Sequence, residues 1–198
     1  LDIIESLAQS IRAKNHLEFS VKMRLGWESA DEWKPVLDIL NETPLHHITL
    51  HPRIGVQQYK GEVDMESFRM FYEACKHPLY YNGDLTTLDD IRRMEKEYPR
   101  LAGLMIGRGL LARPTLAKEY AEGKEMSLSA RMSVLMQMHE RLKNHYESTM
   151  NSEAQLQNKL RLFWEYMETE LGKKPYKKIM KAGNLKNYLA AVSVLRSL

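Results

Sequence analysis

The chain has 198 residues, 43% of them hydrophobic and 28% charged, with a formal net charge of +3 and one cysteine. This is the composition of a globular protein large enough for one domain and a smaller second one, and a single thiol excludes both a disulfide framework and a multi-cysteine zinc site. No apolar run approaches the roughly 18 residues of a spanning helix, and no basic-then-apolar leader opens the chain, so the expectation is a cytoplasmic protein with no membrane partner.

Taken in chain order, Leu1–Lys14 reads as a helix, with Ile3, Ile4, Leu7 and Ile11 at helical spacing. Four short runs rich in apolar, β-branched or aromatic residues then read as buried strands: Phe19–Leu25, His47–His51, Leu79–Asn82 and Gly103–Ile106. Helices separate them. Ser29-Ala-Asp-Glu32 has capping-box spacing ahead of Trp33–Leu40, Asp64 can cap the helix Met65–Cys75, and Thr87-Leu-Asp-Asp90 repeats the box before Ile91–Tyr98. Alternating strands and helices mean βαβ units and a parallel sheet. After Gly109 the strand signals stop. Helices are expected over 114–122, Leu128–Thr149, Ala154–Leu171 and Leu185–Leu195, with Gly172 and Gly183 at helix C′ positions and Pro175 opening a turn. The boundary falls at 124: an α/β part over 1–124 and a helical part over 125–198.

Charge divides along the same line. Residues 1–109 carry 14 basic and 17 acidic side chains, while 110–198 carry 15 and 9, and the last 28 residues hold seven bases and no acid. A lysine-rich C-terminal half suits a polyanionic partner, although a solvated helix face is the commoner source of such a run.

Parallel α/β folds place their chemistry past the C-terminal ends of the strands. The first strand ends in Lys22-Met-Arg24, two cations on one face by alternation, which need an anionic or electron-rich partner. The second ends in His51-Pro-Arg53, the third in Asn82-Gly83-Asp84 and the fourth in Gly107-Arg108-Gly109. Glycines beside an arginine at a helix start can cradle a phosphate, and Gly83 permits close backbone approach. His46 and His47 have no acidic or histidine neighbour at ligand spacing, so no metal site is expected. Four βα units are half of an eight-unit barrel. The chain therefore reads as beginning inside a fold, as a fragment, as two halves completing one another in a dimer, or as a smaller open sheet.

Val21-Lys-Met-Arg-Leu-Gly-Trp27, Leu50-His-Pro-Arg53 with Gln58-Tyr-Lys-Gly61, Asn82-Gly-Asp84 and Met105-Ile-Gly-Arg-Gly109 resemble, in order and spacing, the motifs of tRNA-dihydrouridine synthases. Lys159–Met167 is more loosely similar to the helical-domain motif of that family. The resemblance implies the C-terminal half of a TIM (β/α)8 barrel, four parallel βα units, followed by an all-α domain. It also implies FMN as cofactor, NADPH as reductant, and reduction of a tRNA uridine to 5,6-dihydrouridine. Carried over by motif, Lys22 contacts the flavin ring and His51 the ring or its pyrimidine edge. Asn82, Gly83 and Asp84 with Gly107 and Arg108 hold the cofactor's ribityl phosphate end, and Arg24 and Arg53 face the ring edge or the incoming uracil.

Lys173, Lys174 and Lys177 are the candidate tRNA contacts, with Tyr176 and Tyr188 as stacking groups, while Phe163, Trp164 and Tyr166 read as core. The family's catalytic cysteine belongs to the first half of the barrel, so none is expected in this chain. Cys75 reads as a packed thiol. The chain alone is therefore expected to be inactive and to bind FMN weakly or not at all. The alternatives are another FMN-dependent barrel oxidoreductase and a non-catalytic RNA-binding module.

Overall fold

The computed structural model describes residues 1–13 and 17–197. Its contacts divide the chain into two compact units, Leu1–Leu85 with Asp90–Gly107, and Thr86–Asp89 with Arg108–Leu198. The stretch 108–124, which the sequence analysis grouped with the strands, thus makes its contacts with the helices.

In the first unit the order is α1 (Asp2–Arg12), β1 (Ser20–Gly26), α2 (Trp33–Asn41), β2 (His47–Ile54), α3 (Met65–Ala74), β3 (Leu79–Tyr81), α4 (Leu88–Glu97) and β4 (Gly103–Leu104). The last residue of the first expected helix, Lys14, lies outside the described residues. The four strands form one parallel sheet in the order β1-β2-β3-β4, the repeated βαβ arrangement that the alternation predicts.

The two faces of the sheet differ in kind. Val21 pairs with Ile48, Met23 with Leu50, Ile48 with Leu79, and Leu50 with Tyr81, so these side chains share one face. That face is covered by Trp33, Leu37, Leu40, Phe68 and Phe71 from the helices. Phe68 is fully buried and meets Tyr81 and Tyr98 edge-on at 4.8 and 5.0 Å. Truncating it to alanine would cost about 3–5 kcal/mol. The opposite face carries Lys22 beside Thr49, Arg24 beside His51, and Thr49 beside Tyr80.

Local signals explain the entries to the helices. The Asp64 carboxylate accepts from the Ser67 N–H at 2.9 Å and so caps α3. The box expected over Ser29–Glu32 does not cap α2, whose N-cap is Glu32 with no side-chain cap bond; the Glu32 carboxylate instead accepts from the backbone N–H of Trp27, Glu28 and Ser29, the last at 2.6 Å. These bonds hold its carboxyl below the usual range.

The second unit is all helix: α5 (Arg108–Ala112), α6 (Leu116–Glu122), α7 (Leu128–Glu147), α8 (Glu153–Leu162), α9 (Glu168–Leu171), α10 (Lys173–Met180), α11 (Leu185–Ser193) and a closing 3-10 turn, Val194–Ser197. Ser127, Ser152 and Asn184 cap α7, α8 and α11 through their side chains.

Three expectations change here. Pro114 separates α5 from α6, because the residue before proline is pushed out of the helical region. The helix expected over Ala154–Leu171 breaks at 163–167, where i→i+3 bonds from Trp164 to Arg161 and from Met167 to Trp164 tighten the chain. Leu160, Trp164 and Met167 are all buried. Gly183 is not a C′ residue in the left-handed region. The chain leaves α10 at Lys181, and the Ala182 carbonyl accepts from the side chains of Gln157 and Arg161. Among the described residues no helix is long and apolar enough to cross a membrane.

Candidate functional site

Beyond the point where β3 ends, β1 and β2 continue together. Leu50 lies opposite Tyr81, the last residue of β3, yet β2 runs on to Ile54. The ladder extends further through Gly55 N–H to Gly26 O at 2.8 Å and Val56 N–H to Trp27 O at 3.0 Å. Gly55 is required: a Cβ there would lie 2.3 Å from the Trp27 ring. This raised edge flanks the polar face and ends in three exposed side chains, Trp27, Val56 and Tyr59.

On that face Lys22 is exposed, and among the described residues its ammonium has no partner. Arg24 is committed to the loop after β2. Its Nη1 donates to the carbonyls of Ile54 at 2.9 Å and Gln58 at 2.7 Å, and its guanidinium sits 5.4 Å from the centre of the Tyr59 ring. Gln58 adopts a φ of 52°, a left-handed turn that brings its carbonyl under Arg24.

His51 and Arg53 follow on the same strand, 5% and 2% exposed. Arg53 Nη1 lies 3.2 Å from His51 Nε2 and donates to Asp84 Oδ1 at 3.0 Å. Its Nη2 donates to Gly61 O at 2.6 Å and to Asp84 Oδ2. The His51 imidazole is pushed down to about 4, first by burial and then by the charges of Arg24, Arg53 and Lys22, with Asp84 opposing.

The tip of β3 is held just as closely. Asn82 Nδ2 donates to Met105 O at 2.7 Å, and its backbone N–H donates to Leu50 O at 2.9 Å. Gly83 has no room for a side chain, since a Cβ would sit 2.7 Å from the Tyr81 hydroxyl and 3.0 Å from Val63. Gly107, by contrast, faces open space. Arg108 opens α5 and belongs to the second unit.

Lys22, His51, Asn82 and Gly83 thus belong to one sheet: Lys22 lies mid-strand on the polar face opposite Thr49, His51 lies one position beyond the level where β3 ends, and Asn82 and Gly83 follow β3 directly, with Gly107 two residues beyond Met105. Tyr59, Trp27 and Gly55 join them without having been named as site residues. The Gln58-Tyr-Lys-Gly61 run held the only signal for Tyr59, and nothing local announced the Trp27–Gly55 contact. Arg53 and Asp84 face each other rather than an open pocket. Cys75 lies at the other end of the fold, between α3 and β3, where its thiol donates to His77 O at 3.6 Å and burial pushes it up. No group of three or more metal-ligating side chains occurs among the described residues.

The family model described as dihydrouridine synthase (Dus) matches residues 1–195. The chain belongs to the dihydrouridine synthase family. A tRNA-dihydrouridine(16) synthase of Pseudomonas putida is 29% identical over 126 residues, 63% of this chain and 39% of that protein. A protein of the same name from Aquipseudomonas alcaligenes is 32% identical over 61% of this chain and 38% of its own length. A probable tRNA-dihydrouridine synthase of Rickettsia typhi is 25% identical over 73% and 45%. The chain thus spans less than half the length of these relatives.

A second surface lies in the helical unit. Lys173, Lys174, Lys177, Lys178 and Lys181 of and just after α10 line a groove of about 880 Å³ whose far wall includes Asn187, Ala190 and Ala191 of α11 and Val194 of the closing 3-10 turn. All five ammonium-bearing residues are exposed. Tyr188 is not a stacking group: it is fully buried, and its hydroxyl accepts from Trp164 Nε1 at 2.9 Å and meets His139 Nε2 at 2.7 Å. Tyr176 spends its hydroxyl on Glu165 O at 3.0 Å. Of the residues read as core, Trp164 is buried and Tyr166 is exposed.

Proposed function

We propose that this chain is the part of a tRNA-dihydrouridine synthase that receives FMN at the strand tips and grips tRNA with its helices. The observation that carries the reading is that His51, Asn82 and Gly83 lie just beyond the level where β3 ends, with Lys22 two positions lower on the same polar face, in a chain whose family match runs from residue 1 to 195.

The residues present suit FMN. The polar face carries three cations against the single carboxylate of Asp84, Lys22 keeps an uncommitted ammonium, and the Gly83 and Gly107 backbones stand clear of side-chain bulk. Lys22 would hold the electron-rich pyrimidine edge of the isoalloxazine, and His51 would donate to the ring or to the uracil. Asn82, Gly83 and Gly107 would take the ribityl phosphate, with Asp84 holding their loop through Arg53. Arg108 joins them by motif. When bound, FMN supplies the two-electron reduction of the uracil C5–C6 bond and is recharged by NADPH. A cation beside that edge favours the negative charge of the reduced ring.

Arg24 and Arg53 would shape the uracil side of the pocket through the loop they hold. Lys173, Lys174 and Lys177 would neutralise tRNA phosphates along α10. Cys75 is too far from the strand tips in the fold to protonate the uracil, so the 198-residue chain by itself is expected to leave uridine unreduced. Fluorescence titration of FMN into wild-type and Lys22→Ala forms of a longer protein that includes this chain tests the reading. Affinity should drop at least tenfold in the variant, and equal affinity would sink it. A non-catalytic RNA-binding module is the second reading, favoured by the lysine groove alone; such a module would bind tRNA and show no FMN binding in that longer protein.

A further inference from the structure

Arg53 has been described as a candidate for the uracil side and Asp84 as part of the cofactor loop, yet neither points its charge at open space. Asp84 takes both terminal nitrogens of the guanidinium, Gly61 O takes Nη2 at 2.6 Å, and the Nη1 that Asp84 shares is 3.2 Å from His51 Nε2. A guanidinium has only donors. The His51 nitrogen facing it must therefore present its lone pair, and the ring proton must sit on the other nitrogen.

We propose that Asp84 and Arg53 are positioning residues that lock His51 as the neutral tautomer protonated on Nδ1, so that the group His51 offers a ligand is a hydrogen-bond donor without charge. Asp84 orients the guanidinium, and the guanidinium selects the tautomer. Among the described residues His51 Nδ1 has no partner, and it is not sealed from the surface.

The charged and titratable groups around His51 act in the same direction. Lys22 and Arg24 on β1 and Arg53 on β2 disfavour a second ring proton, Asp84 after β3 alone favours it, and the Tyr59 ring stands 6.1 Å away. The imidazole accordingly stays neutral down to about pH 4. This divides the labour at the proposed flavin and uridine site. Lys22 brings the positive charge, and His51 brings a neutral N–H for a carbonyl oxygen or ring nitrogen. The assignment rests on the reading that His51 faces that ligand, but the tautomer itself does not.

The test is long-range proton–nitrogen NMR on the full 198-residue chain with nitrogen-15 histidine. In the wild type, His51 Nε2 should be unprotonated and Nδ1 protonated, with no titration between pH 8 and pH 5. Protonation on Nε2, or a titration near pH 6.5, overturns the proposal. Arg53→Met should lose the single tautomer and distribute the proton over both nitrogens, while Arg53→Lys, which keeps an N–H donor, should restore it. If Arg53→Met does not fold, Asp84→Asn serves, and a His51 spectrum unchanged from wild type in the folded variant overturns the orienting role of Asp84. FMN titration is a separate readout. A locked tautomer in a longer protein that binds no flavin leaves the positioning intact and removes the flavin reading; an Nε2-protonated His51 removes the positioning whatever the flavin does.

Discussion

Asp84 has a backbone φ of 33°, in the left-handed region where a non-glycine residue is strained, and gives both carboxylate oxygens to Arg53. The strain is offset by the guanidinium it satisfies, which is 2% exposed. Breaking a buried pair from one side costs about 3–5 kcal/mol, and Asp84 is 40% exposed, so Asp84→Ala should lose about 2 kcal/mol in urea unfolding. Gly83→Ala one residue earlier should be destabilising by about 1–3 kcal/mol, since its Cβ would meet the Tyr81 hydroxyl at 2.7 Å. His51 adds a pH dependence whose sign follows from its lowered value. The unfolded chain takes up that proton near pH 6.5 and the folded chain only near 4. The stabilisation is present in full above pH 6.5 and is lost as pH falls from 6.5 toward 4. Buried His139, also held down to about 4, repeats the effect in the second unit. Each histidine should remove up to about 3 kcal/mol over that window. Urea midpoints between pH 7.5 and 4.5 measure the loss, and a flat profile would contradict it.

At the scale of elements, α10 and α11 separate two roles that their composition mixes. Ile179 and Tyr188 face inward, while the lysines of α10 line the outer groove. Tyr188→Phe would leave the Trp164 indole N–H buried without an acceptor and should cost about 1–3 kcal/mol of stability. It should leave tRNA affinity unchanged. Charge reversal at Lys173, Lys174 and Lys177 should do the opposite: unfolding stays within about 0.5 kcal/mol, while the salt dependence of tRNA binding flattens by about two to three log units per decade of salt. Filter binding across a salt series distinguishes the two, and an unchanged slope in the triple variant would remove RNA from this surface.

At the scale of the whole molecule, the sheet order β1-β2-β3-β4 leaves β1 at one edge, beside an apolar groove of about 490 Å³ lined by Ile4, Leu7, Met23 and Val36 among others. The one cysteine of the chain lies at the opposite end of the strands from Lys22 and His51. Incubating the 198-residue chain with unmodified tRNA, FMN and NADPH should therefore yield no dihydrouridine, and any turnover would mean that another group supplies the proton.

Much of this was legible in the residues. Short apolar, β-branched and aromatic runs bounded by turn residues located all four strands to within a few positions, and Asp64 announced the helix entry it makes. Short-range signals suffice there because a strand's alternation and a helix's cap are settled within a few residues. The break at 163–167 had no glycine or proline to betray it.

The sequence by itself determined that the strand ends share one side of the sheet, because strand direction and the βαβ rule carry every C-terminal end there, and its ordered motifs named the family. Only the tertiary structure decided what those residues do with their hydrogen bonds. Arg24 reaches 34 residues along the chain, Arg53 reaches 31, and Tyr188 reaches 49 to His139. A side chain's partner depends on distances of about 3 Å between segments far apart in sequence, which periodicity does not encode.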